Sequence, residues 1–217
     1  QTPIPEAAMM DEGREIAEQV ERLRGGDDAE LAPLFSAYRD RLKRMVEFRL
    51  DARLRGRVSA SDVLQEAYID ALKRLRHFQA DDDVPLFIWL RTVTIQRLIQ
   101  VHRQHLGAGM RDAAREVSIG RMAPEASSEM IAEFIADQSS PSMAAQRGEA
   151  LAQLREALDG LDAIDREVLA LRHFEDLNNL EVAALLGIQP AAASKRYVRA
   201  LERLKDALER FPDFGKG

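Results

Sequence analysis

The chain contains no cysteine among its 217 residues, which excludes disulfides, thiolate zinc sites, iron–sulfur clusters and cysteine nucleophiles. It also lacks any apolar run near the roughly 18 residues that a membrane helix needs. No signal-peptide pattern opens it, so a soluble, cytoplasmic chain without membrane insertion is expected. Glycine and proline are sparse, at 12 and 8 residues, and the β-branched alternation of strands is nearly absent. What is abundant is Ala, Leu, Arg and Glu, a composition that favours helices throughout. The expected fold is all-α: two small helical domains joined by a flexible linker, the C-terminal one containing a helix-turn-helix.

A net charge of -6 looks unsuited to nucleic acid. The excess is local, however, because residues 1–30 hold nine acids and three bases and account for all of it. Elsewhere there are basic blocks. Residues 39–57 carry eight bases against three acids, and residues 190–208 carry five against two. Local charge rather than the total governs attraction to phosphates.

Residues 7–24 form a short amphipathic helix closed by Gly25-Gly26, read as a solvated acidic extension covering residues 1–26. Residues 27–106 then hold three helices. The first has a buried stripe of Leu31, Leu34, Phe35, Tyr38, Leu42, Met45 and Val46, spaced by three and four. The second, from Ser61 to Arg76, repeats the pattern with Leu64, Ala67, Tyr68, Ala71, Leu72 and Leu75, and Pro85 opens the third. Glycines, prolines and serine pairs punctuate residues 107–141, a length unusual for a loop inside one domain, so a linker with transient helix is expected. Residues 142–217 make the second domain.

The sharpest local pattern runs from Asn179 to Arg199. Asn179 is placed to cap a helix, Ala183 allows a close crossing, Gly187 makes the turn and Pro190 starts the next helix, which is helix-turn-helix spacing. The second helix carries Ser194, Lys195, Arg196, Arg199 and Arg203 beside apolar Ala193, Tyr197, Val198 and Leu201. No acid lies between Gln189 and Arg199 to repel phosphate, so this face suits a DNA major groove.

The third helix of the first domain is apolar over most of its surface but carries one different stripe. Trp89, Thr92, Gln96, Gln100 and Arg103 project together at spacings of three and four and can stack on and hydrogen-bond unpaired bases. His102 and His105 share a face near its end and read as a solvated or phosphate-contacting pair, since no third metal ligand lies close in sequence. No catalytic constellation, metal site or cofactor motif is found, and an enzyme is not expected.

In order, these two halves resemble the extracytoplasmic-function (ECF) sigma factors, promoter-recognition subunits of bacterial RNA polymerase. The resemblance rests on Ser-Ala-Ser-Asp-Val-Leu-Gln-Glu-Ala at 59–67, Phe-Ile-Trp-Leu-Arg at 87–91, Asp-Arg-Glu-Val-Leu-Ala-Leu-Arg at 165–172 and the helix-turn-helix after it. It implies sigma region 2-like and region 4-like domains, with core RNA polymerase (beta-prime clamp and beta flap) and promoter DNA as partners. It places Asp62, Gln65, Glu66 and Ile69 on the clamp, residues 77–84 and the stripe Trp89, Thr92, Gln96, Gln100 and Arg103 on melted minus-ten DNA, and Gln189, Ser194, Lys195, Arg196 and Arg199 on the minus-thirty-five duplex. The basic block 39–57, Arg111 and Arg115 would add phosphate attraction. The alternative is a stand-alone helix-turn-helix repressor or activator.

The family's acidic opening at the clamp-binding helix is here Ser59-Ala60-Ser61-Asp62. Phosphorylation of Ser59 or Ser61 by a Ser/Thr kinase would restore negative charge at a helix N-terminus. Ser59 with Asp62 three residues on is equally a capping box, which needs no kinase. An anti-sigma factor is a further partner implied by the resemblance.

Overall fold

The computed structural model describes residues 6–79, 84–106, 126–137 and 144–211. Among them are nine α-helices and two short 3-10 turns, and no strand beyond one isolated bridge between Arg55 and Val58. The loop at 80–83, the parts of the expected linker at 107–125 and 138–141, with Arg111 and Arg115, and residues 142–143 lie outside the described residues.

Helices α1 (Glu6–Arg24), α2 (Leu31–Arg49), α3 (Ala60–Gln79) and α4 (Leu86–Leu106) form the front bundle. Its core is the α2 stripe of Leu31, Leu34, Phe35, Leu42, Met45 and Val46, set against Val63, Leu64, Ala71, Leu75 and Phe78 of α3 and Leu90, Val93, Ile95 and Leu98 of α4. The spacing of apolar residues thus builds the helices it predicted, with Tyr38 and Tyr68 half-buried at the margin. Leu72 departs from its expected place in the core. It is 45% exposed, because seven residues after Gln65 and three after Ile69 it falls on the outer side of α3.

The N-terminal helix is not simply a solvated extension. Leu23 of α1 is fully buried, and Ile16 and Val20 pack on the front core. The Arg24 guanidinium lies 4.5 Å over the Phe78 ring and donates to the Val84 carbonyl at 2.8 Å, so α1 is fastened at its C-terminal end.

The rear bundle comprises α5 (Ser128–Asp137), α6 (Ala144–Asp159), α7 (Ala163–His173), α8 (Asn179–Leu186) and α9 (Pro190–Leu208). Helix α5 occupies part of the segment expected to be a flexible linker. It packs on α6 and also on α2 of the front bundle, because Ile131, Ala132 and half-buried Phe134 need apolar cover. The two bundles therefore touch. Phe48, at the end of α2, is fully buried in the rear cluster with Leu158, Leu161, Leu169 and Ala170.

Asn178, not Asn179, caps α8: its side chain accepts from the Leu180 and Glu181 N–H groups, and Glu181 accepts from the Asn178 N–H in return. Asn179 instead donates to the Pro190 carbonyl at 2.8 Å and ties the start of α8 to the start of α9. Gly187 ends α8 at φ 64 in the left-handed region, where a side chain is disfavoured.

Candidate functional site

Three surfaces hold the residues singled out in the sequence. The first is the outer side of α3. Its N-terminus is a reciprocal capping box in which the Asp62 N–H donates to Ser59 Oγ at 3.1 Å and the Ser59 N–H donates to Asp62 Oδ2 at 3.4 Å. The Ser59 hydroxyl also donates to that carboxylate at 2.7 Å. Asp62, Gln65, Glu66 and Ile69 are all exposed and share one side of the helix, opposite the buried stripe. Leu72 extends this patch, so two large aliphatic side chains lie in solvent within one helical turn. Glu66 is shared with the bundle, since Arg97 of α4 reaches it at 3.2 Å and clamps the buried Asp70 as well.

The second surface is the stripe on α4. Trp89 is half-buried with its indole 5.0 Å from the Phe78 ring and tilted 34° to it, so one side of it is already covered. Thr92 turns its hydroxyl back to the Ile88 carbonyl at 2.8 Å, and Gln96 accepts from Arg74. Gln100 and Arg103 are exposed. The stripe is thus contiguous, but its upper half is already hydrogen-bonded within the bundle and its lower half faces solvent. His77, before the loop at 80–83, is exposed.

His102 differs from the expected solvated pair. It is 3% exposed, and its Nε2 accepts the Asp51 N–H at 3.2 Å, so it pins the turn after α2. Burial pushes its pKa below the usual histidine range against the pull of Asp51. Asp51 itself is lowered to about 2 by its hydrogen bonds with Arg53. His105 alone faces solvent. No group of three or more metal-ligating side chains occurs among the described residues.

The third surface is the start of α9. Gln189, Ser194, Lys195 and Arg199 are exposed, and Ser194, Lys195 and Arg199 flank a shallow depression floored by Val198. Arg196 is committed elsewhere, donating to Asp165 of α7 at 2.8 Å; Arg203 reaches the same carboxylate at 3.0 Å and Asp162 at 2.9 Å. Two of the five bases on this helix therefore brace it against α7. Of these groups only Asp165 is buried, so drawing either arginine away to a ligand takes a partner from a buried carboxylate.

Spacing arguments did not reveal a fourth group, formed where the bundles meet. Arg49 of α2 donates to Glu167 at 2.6 Å and to Glu175 at 2.5 Å, and Arg91 of α4 donates to Glu175 at 2.7 Å. Burial opposes the charge on Glu175, but Arg49 and Arg91 outweigh it and hold its carboxyl below the ordinary range. A signal was present in the sequence: Arg91 is the one charged residue in the apolar stretch 86–96, and such a guanidinium needs a buried acid.

A family model described as ECF sigma factor matches residues 13–210. The probable RNA polymerase sigma factor RfaY of Xanthomonas campestris pv. campestris is 29% identical over 163 residues, 73% of this chain, and the chain spans only 36% of that relative's length. RNA polymerase sigma-H factor of Pseudomonas aeruginosa is 29% identical over 198 residues, covering 88% of this chain and 92% of its own. The solved structure of CnrH in complex with the cytosolic domain of CnrY overlays 89% of this chain and 96% of its own at 19% identity and a TM-score of 0.47. On the family match, which spans most of its length, the chain belongs to the ECF sigma factors, transcription initiation factors that are not enzymes.

Proposed function

We propose that this chain binds core RNA polymerase through the outer side of α3 and directs it to promoters, holding melted minus-ten bases against the α4 stripe and reading the minus-thirty-five duplex with the start of α9. The observation that carries the reading is the α3 patch. Ile69 and Leu72 stand exposed beside Asp62 and Gln65 on a helix whose other side is fully packed. An apolar pair rimmed by polar groups on an otherwise satisfied helix is the signature of a surface awaiting a partner. A stand-alone repressor or activator has no use for such a patch, which disfavours that alternative.

For the duplex, Lys195 and Arg199 with Gln189 and Ser194 are the working set, each good base-edge contact adding about 1 to 3 kcal/mol of discrimination. Arg196 acts as a brace in this reading. The test is run-off transcription with core polymerase, with and without the chain, over fragments of the source genome. Transcripts from defined start sites that need the chain support the proposal. Tight sequence-specific binding by the chain alone, with no effect on polymerase, overturns it.

Control by a Ser/Thr kinase divides between the two serines. The Ser59 hydroxyl is engaged with Asp62, so a phosphate there would set two anions side by side and break the cap. Ser61 lies 3.5 Å from the Arg39 guanidinium, a ready partner for a phosphate. Ser61 is therefore the site at which added charge would strengthen docking, and Ser61→Glu is expected to raise affinity for core polymerase while Ser59→Glu lowers stability. Binding and melting curves check the pair. An anti-sigma factor covering the α3 patch would compete with polymerase for Ile69 and Leu72.

A further inference from the structure

The connection between α3 and α4 is gripped at both ends by the last two residues of α1. Gln79, which closes α3, donates its side-chain amide to the Leu23 carbonyl at 2.9 Å, and the Arg24 guanidinium donates to the carbonyl of Val84, two residues before α4, at 2.8 Å. The turn after α1 adds to the grip, since the Asp28 carboxylate accepts from Gln79 at 2.8 Å and from Arg76 at 3.2 Å. The two stems of the connection are therefore held at a separation that α1 sets.

The same guanidinium has a second contact. It lies 4.5 Å over the ring of the buried Phe78, which in turn meets the Trp89 indole at 5.0 Å. Arg24, Phe78 and Trp89 thus form a continuous chain of contacts from α1 to the aromatic end of the α4 stripe. A flat guanidinium can cover a ring and donate to a carbonyl at the same time, which the compact ammonium of a lysine matches poorly. Attachment of α1 does not require this arrangement, because buried Leu23 with Ile16 and Val20 already packs it on the front core. Nor is the helix suited to attract a strand itself, since Glu15, Glu18 and Glu21 are exposed on it.

We propose that Arg24 is a positioning residue for the minus-ten site: by fixing Phe78 and the Val84 stem it sets the face that Trp89 presents to an unpaired base, so α1 takes part in strand capture without touching DNA or polymerase. The consequence for transcription rests on the proposed sigma activity, whereas the placement of the indole is a property of the chain itself.

Trp89 is the chain's single tryptophan, so the intrinsic emission of the full-length protein reports this one side chain. Arg24→Met, which keeps a long apolar stem but no donor, should shift that emission to the red and make it more accessible to acrylamide. Gln79→Leu, which frees the other stem, should do the same to a smaller extent. Arg22→Gln is the control: it breaks the exposed 2.6 Å pair of Arg22 with Glu30 at the same end of α1 and should leave the emission unchanged. In run-off transcription with saturating core polymerase, Arg24→Met should lower promoter-specific product about tenfold, the loss of one charged hydrogen bond and one cation-ring contact, with affinity for polymerase unchanged in a pull-down. Arg24→Lys, equal in charge, should restore neither the emission nor the product.

Circular dichroism and thermal melting show whether each variant remains folded, and if Arg24→Met does not, Gln79→Leu carries the test. Unchanged emission and quenching in both variants overturns the proposal. So does full recovery of product by Arg24→Lys, which makes the residue a source of phosphate attraction, and so does a moved indole with undiminished product. If the indole moves as stated but the wild-type chain supports no promoter-specific transcript, the sigma reading fails and the positioning of Trp89 by α1 stands.

Discussion

The outer side of α3 and the basic face of α9 are both exposed helix surfaces, yet they are prepared for partners in opposite ways. On α3 the apolar pair Ile69 and Leu72 is left bare, and Glu66, which shares Arg97 with the buried Asp70, is itself 54% exposed. On α9 two of five bases, Arg196 and Arg203, are drawn into the rear bundle by Asp165. The first surface suits the protein partner proposed for it. The second has surrendered part of its charge to hold a helix in place, so the DNA reading proposed for it would depend on few side chains. Burial of apolar area serves the first, and position the second.

The largest change to this contrast comes from removing what positions the second surface against the first. Phe48→Ala empties a slot in the rear cluster, and a Phe-to-Ala truncation in a core costs about 3 to 5 kcal/mol; urea melting should show that loss. Next, Ile69→Glu with Leu72→Glu should leave melting unchanged, since both residues are exposed. The same pair should weaken association with core polymerase at least tenfold in a pull-down titration. Equal binding would remove the α3 side from the proposal.

Smaller effects belong to α9 and to the turn that aims it. Arg199→Ala should lower promoter-specific transcription by about tenfold at one base position, in line with loss of a base-edge contact, whereas Arg196→Ala should lower melting stability more than it alters base preference. Gly187→Ala places a side chain at φ 64 and should cost about 1 kcal/mol, read by thermal melting. The smallest is a pH effect at His102. Its depressed pKa means that the neutral ring is the native form, so its contribution is present above the ordinary histidine range and is lost as pH falls through it. His102→Gln should flatten that part of the stability profile.

The helices and the front core were legible because apolar residues recur every three or four positions over long stretches, and local spacing suffices for that. The α3 patch was legible for the same reason, from the side left over. Leu72 escaped because it sits at the margin of the stripe, where a single residue's direction depends on its neighbours across the bundle. The cap of α8 was displaced by one residue for a similar cause: Asn178 and Asn179 are chemically alike, and only the position of Glu181 relative to each decides. Arg196 and Asp165, and Arg49 with Glu167 and Glu175, lie 31, 118 and 126 residues apart. Pairings at such separations leave no periodic trace. His102 read as solvated because its partner is a backbone N–H, invisible in any pattern of side chains.

Arg41 lies flat on the Phe87 ring, 3.7 Å from its centre, one turn of α4 before Arg91 and two residues from Trp89. That stack is internal to the front bundle and does not depend on Glu181 alone for its geometry. The guanidinium is therefore pre-set beside the helix that bears the indole. On the proposed reading, a strand settling there would meet a cation already held by the ring beneath it.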